Sequence, residues 1–160
     1  MALGTQTRYL ARGFVPINEP PRTKTIPVAA VTVVRGDALH RDVADLGWAT
    51  NADVVFTARF LGIAASPIAN AAGVAGAVNV EYYPLEFGTS YIVPVANALI
   101  TQPAVGTYVN LSAVGTISLA VVVAEGIGFF IEEIDVSAAA LIGNAFGYAI
   151  GRFRVVGQQA

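Results

Sequence analysis

Asp37, Asp42 and Asp45 set three carboxylates within one short stretch, a spacing that could offer oxygen ligands to Ca²⁺. An EF-hand loop needs ligands at alternate positions and a closing Glu, and neither is present, so solubility of a polar loop is the plainer use. Glu132, Glu133 and Asp135 invite acid–base chemistry, which requires two carboxyl groups converging from different elements. Neighbours on a strand point to opposite faces, so only Glu133 and Asp135 share a side. A solvated rim, or a subunit contact to Arg152 and Arg154, explains them better. His40 could serve as a general base, yet the chain has no GxSxG nucleophile motif, and a surface histidine is the expectation.

The rest of the inventory excludes more than it offers. With no Cys and one His, disulfides, thiolate nucleophiles and Cys or His metal clusters are ruled out, and no cofactor is expected. There is no GxxxxGK[ST] loop, and Gly62, Gly73 and Gly76 are in the wrong setting for a dinucleotide fingerprint. The basic residues are too few and too dispersed for nucleic-acid backbone neutralisation, so no direct nucleic-acid binding is expected. Tyr82, Tyr83, Phe87 and Tyr91 cluster near a proline and a turn. They are candidates for a subunit interface, which favours Tyr and Phe, with a sugar-stacking face as the alternative.

The elements that must position these residues read as strands. The 160 residues are 55% apolar and 12% charged, with a mean hydropathy of +0.62. Pro and Gly interrupt every apolar run, so no window has the roughly 20 unbroken apolar residues of a spanning helix. No charged stretch followed by an apolar core opens the chain, and no secretory signal is expected. Low charge in a water-soluble body predicts that part of its surface is covered by other chains.

Residues 1–27 differ from the remainder. They hold Pro16, Pro20, Pro21 and Pro27, and four basic residues (Arg8, Arg12, Arg22, Lys24) against Glu19 alone, predicting an extended basic arm. Residues 28–160 carry five basic and ten acidic residues, so the arm is suited to lie over a neighbouring copy's acidic body. Tyr9, Leu10, Phe14, Val15 and Ile17 supply it with apolar anchors.

Within 28–160, strands are predicted at Val28–Val34, Val54–Leu61, Val78–Tyr83, Ser90–Val95, Tyr108–Leu111, Thr116–Val123 and Ile127–Val136. Arg35-Gly36-Asp37 is a turn. Ala38–Asp45 could be a helical turn or irregular, because Leu39, Val43 and Leu46 recur at helix-like spacing. Ser66–Ala77 is expected to be a loop. Ala138–Val156 reads as closing strands that need earlier strands to pair with. The class is all-β, a compact β-barrel or β-sandwich with an extended N-terminal arm. A faint echo runs through it: Gly36-Asp37-Ala38-Leu39 leading to Phe60-Leu61-Gly62-Ile63-Ala64, and Gly106-Thr107-Tyr108-Val109 leading to Phe146-Gly147-Tyr148-Ala149-Ile150. Duplication and coincidence in a Gly- and Ala-rich chain both account for it.

The proline-bearing basic arm, the Gly-, Ala- and Val-rich β body, the absence of Cys, and the closing Ile142-Gly143-Asn144-Ala145-Phe146-Gly147-Tyr148-Ala149 together resemble the capsid decoration, or cement, proteins of tailed double-stranded DNA phages. The resemblance implies a structural virion protein, assembled in the host cytoplasm. It would be a homo-oligomer, often a trimer, that binds the outer capsid surface, contacts the major capsid protein and stabilises the shell. It implies no enzyme activity and no membrane partner. Weak contacts repeated around a lattice, with arms donated between copies, suit such work. Arg8, Arg12, Phe14, Ile17, Arg22 and Lys24 are the candidate arm contacts. Alternatives are another self-assembling virion component such as a tail-tube or capsid subunit, or a secreted carbohydrate-binding β domain using Tyr82, Tyr83 and Tyr91. A hydrolase dependent on His40 is more remote.

Overall fold

Short β-branched and aromatic runs separated by Gly and Pro become strands, and no helix occurs among the described residues. The computed structural model describes residues 13–17, 22–51, 59–95, 105–113, 115–122, 126–135 and 147–156. In chain order the strands are β1 (Val15–Pro16), β2 (Lys24–Pro27), β3 (Thr32–Val33), β4 (Ala38–Arg41), β5 (Ala49–Asn51), β6 (Phe60–Ala64) and β7 (Ile68–Ala69). They continue with β8 (Asn79–Pro84), β9 (Tyr91–Pro94), β10 (Tyr108–Ala113), β11 (Thr116–Val122), β12 (Gly126–Asp135) and β13 (Tyr148–Val156). A six-stranded sheet runs β1-β9-β13-β12-β10-β11, a five-stranded sheet runs β2-β8-β6-β4-β5, and β3 pairs with β7. Every ladder is antiparallel. The all-β, sandwich-like class is as the sequence predicts, without a closed barrel.

Set β1 aside and the two larger sheets have one topology. Each takes five strands and orders them first, fifth, fourth, second, third: β2-β8-β6-β4-β5 and β9-β13-β12-β10-β11. The registers match as well. Ala38 faces Ile63 and Ile63 faces Tyr83 in one sheet; Tyr108 faces Phe130 and Phe130 faces Arg152 in the other. Even the isolated parallel bridges correspond, Val28 with Ala49 and Val95 with Ile117. Each sheet therefore curls until the end of its first strand touches its third, through a single bridge.

The turn into the second strand repeats too. Gly36 and Gly106 take φ values of 94° and 86°, a left-handed conformation that glycine enters without steric cost. Gly36 N donates to Ala64 O (2.9 Å) and Ala64 N to Asp37 O (2.8 Å). Gly106 N donates to Ile131 O (2.7 Å) and Ile131 N to Thr107 O (3.0 Å). One part of the sequence echo is thus structural, since Gly36–Leu39 and Gly106–Val109 are equivalent. The other part is corrected: registers align Gly62, Ile63 and Ala64 with Phe129, Phe130 and Ile131, and Phe146 lies outside the described residues.

Buried positions agree across the repeat. Ile26, Val28, Leu39, Ala49, Ala64 and Val80 fill the inside of the first unit. Their counterparts Val93, Val95, Val109, Ile117, Ile131 and Ala149 lie in the core of the second. The same core takes in Ala38, Phe60, Ile63 and Tyr83 from the opposite face of the five-stranded sheet, so the first unit stacks on the second as in a sandwich. Phe60 and Phe153 mark the seam, their ring centroids 5.0 Å apart.

Several expectations change. Val15–Pro16 and Lys24–Pro27 are strands of the two larger sheets, so the last four residues of the predicted arm form the first strand of the first unit. Prolines concealed this, yet Pro16 lies on an edge strand and Pro27 at a strand end, where a missing N–H is tolerated. Ala38–Arg41 is a strand, with Leu39 buried and Val43 and Leu46 exposed in the following loop, so the helix-like spacing was accidental. Most of Val28–Val34 is irregular around β3. The Ser66–Ala77 loop contains β7, and buried Asn70 anchors it by donating from Nδ2 to Ala29 O (3.1 Å) and Val74 O (3.2 Å). Residues 54–58 and 138–146 lie outside the described residues.

Candidate functional site

The three aspartates do not converge. Asp37 Oδ2 accepts from Val34 N (2.8 Å), closing the turn before β4. Asp42 Oδ1 accepts from Ala44 N (3.4 Å) and Asp45 Oδ1 from Gly47 N (2.8 Å), in the loop after that strand. Each carboxylate thus organises its own turn. Burial holds the Asp37 carboxyl above its ordinary value, with the Val34 hydrogen bond pulling the other way. Among the described residues no group of three His, Asp or Glu side chains could hold a metal ion.

His40 is not a surface group: it is buried on β4, its ring edge-on to Phe60 with centroids 5.9 Å apart. His40 lies on the face of β4 that also carries Ala38, and that face is covered by the core shared with the second unit.

The tyrosines are also relocated. Tyr82 and Tyr83 are 7% and 8% exposed, on opposite faces of β8, and Tyr91 is 1% exposed. Burial pushes the Tyr91 phenol well above its ordinary range, with Tyr83 and Glu86 adding to it. A sugar-stacking face or subunit interface through these three is therefore corrected, because strand alternation turns them into the chain's own cores. Phe87, in the turn between β8 and β9, stays 46% exposed.

The N-terminal candidates divide. Arg8 and Arg12 lie outside the described residues. Phe14 is buried in the second unit's core, 5.5 Å from the Phe129 ring and 5.4 Å from the Phe153 ring between centroids. Its predicted use as a contact to a neighbour is corrected: β1 pairs with β9 and carries the phenyl ring inward. Ile17 is 38% exposed, its N donating to Ser90 O (3.1 Å). Arg22 and Lys24 are exposed beside the edge strand β2.

One grouping went unrecognised in the sequence. Tyr108, Phe130 and Arg152 form a row across β10, β12 and β13 on the sheet face away from Phe129 and Phe153. The Tyr108 and Phe130 ring centroids are 5.1 Å apart, and the Arg154 guanidinium lies 4.8 Å above the Phe130 ring. Arg152 donates from Nε to Glu132 Oε1 and from Nη2 to Glu132 Oε2, both at 3.1 Å. Alternation of Arg152, Phe153 and Arg154 was the available signal; the register that lines it up with Phe130 and Tyr108 was not. The row joins aromatic area to charge that is held in place.

No family model matches the chain, and no curated protein matches its sequence.

Proposed function

We propose that this chain is a structural assembly protein of a virion, one that binds the outer surface of a capsid and stabilises the shell through subunit contacts. The observation that carries this reading is the apolar side chains left in solvent on a sparsely charged body. Val34, Val43, Leu46, Val74 and Phe87 are all exposed, on a chain with 12% charged residues. Exposed apolar area of that kind is removed from water when copies or a larger surface cover it. Two stacked β units, each held by antiparallel ladders, suit a static load.

The sugar-binding alternative has lost its tyrosines to the cores. The test is immunogold electron microscopy, with antibody raised against this chain, of particles released by cells that carry its gene. Label over the outer surface of icosahedral heads is expected. Label on tails alone would transfer the protein to the tail-tube alternative, and particles without label would reject a virion role.

A further inference from the structure

The repeat gives the first unit's buried row a counterpart in the second. Ala38, Ile63 and Tyr83 cross β4, β6 and β8 and lie under the second unit, in one core with Phe14, Phe129 and Phe153. Register for register, the second unit places Tyr108, Phe130 and Arg152 across β10, β12 and β13. These three are half-buried, and Arg154 beside them is exposed. So one architecture is used twice, with the same face covered by the second unit in one copy and only half-buried at Tyr108, Phe130 and Arg152 in the other.

The half-buried row has the character of a contact surface. Two aromatic rings lie side by side with a guanidinium over one of them, and Tyr and Arg are the residues that most often dominate binding energy at interfaces. Ile150 and Tyr148 continue the row along β13 on the same face and are already buried. Arg152 and Glu132 are paired within the chain and leave Arg154 as the exposed charge on this face; in the first unit the same face is covered by a unit of the same topology, so the cover that fits the second is another copy.

We infer that the Tyr108–Phe130–Arg152 face, with Arg154, is the surface through which a second copy of this chain docks. The inference deepens the assembly reading by naming the face and its occupant. In the first unit that face is closed within the chain; in the second it is closed between chains.

The test is the solution mass of the full-length protein by light scattering over a wide concentration range, for the wild type, Phe130→Asp and Arg154→Glu. Circular dichroism melts confirm that each variant is folded. The wild type should self-associate, and each variant should weaken the association at least about thirtyfold while melting cooperatively. Arg154 is exposed, so its variant keeps the test decisive if Phe130→Asp fails to fold. A wild type that stays monomeric, or variants that associate as the wild type does, would overturn the inference. Either result leaves attachment to a shell through another face open, whereas unlabelled heads in the microscopy would reject the shell and leave this contact standing.

Discussion

Replacing Phe14 by Ala asks whether the N-terminal segment belongs to the body. The ring is 1% exposed and lies within 5.4–6.2 Å, centroid to centroid, of Phe153, Phe129 and Tyr91. Removing a phenyl ring from such a site costs about 3–5 kcal/mol, through lost transfer free energy and the cavity left behind. For a chain of this length each kcal/mol lowers the midpoint by about 2–4 °C, so Phe14→Ala should melt about 6–20 °C below the wild type. Ile17→Ala is the control: that side chain is 38% exposed, and its loss should cost less than about 1 kcal/mol. Calorimetry and urea unfolding at several protein concentrations provide the readout. A loss for Phe14→Ala below about 1 kcal/mol would refute the placement of this ring in the core. A loss that disappears on dilution would instead mean that the ring is exchanged between copies.

Four further outcomes are expected. A Cβ at Gly151 would collide with the Phe130 carbonyl and lie 2.9 Å from the Phe129 ring, so Gly151→Ala should cost about 3 kcal/mol or more in urea unfolding. Gly88→Ala, with nothing within 4 Å, should be nearly neutral. Because folding raises the Asp37 carboxyl above its ordinary value of 3.8, the folded state holds its proton more tightly than the unfolded chain. The stability it contributes is therefore present at acid pH and lost as pH rises through the raised value. Urea midpoints from about pH 3 to pH 7 should show Asp37→Asn removing that component, with the Asn oxygen still accepting from Val34 N. An unchanged pH profile would contradict this. Tyr91 is raised above its ordinary 10.0 by burial first, so the fold favours the neutral phenol and loses stability as pH climbs past the ordinary tyrosine range. Phenolate absorbance should show a step that coincides with unfolding, and Tyr91→Phe should reduce that step.

The second half was the more legible in sequence. Thr116–Val122 and Gly126–Asp135 follow glycine-marked turns and run long enough for strand character to dominate, and both are strands. The first half hid its strands in two ways. Pro16 and Pro27 read as an arm, although edge positions and strand ends accept proline. Leu39, Val43 and Leu46 mimicked a helix because a four-residue strand and its hairpin loop happen to reproduce that spacing. The repeat was half visible. The glycine turns and the shared tripeptides Pro27-Val28-Ala29 and Pro94-Val95-Ala96 persist, while core positions vary among apolar residues of similar role, as Leu39 and Val109 do. Ladder register, which sequence does not carry, decided the sites. It buried Tyr82, Tyr83 and Tyr91 and aligned Tyr108, Phe130 and Arg152.

The central claim, that this protein works through contacts between copies, is tested most directly by sedimentation equilibrium of the unmodified full-length chain over a hundredfold range of concentration. The account predicts a mass that rises to a defined multiple of the 16.6 kDa protomer. A mass that stays at 16.6 kDa throughout would contradict it.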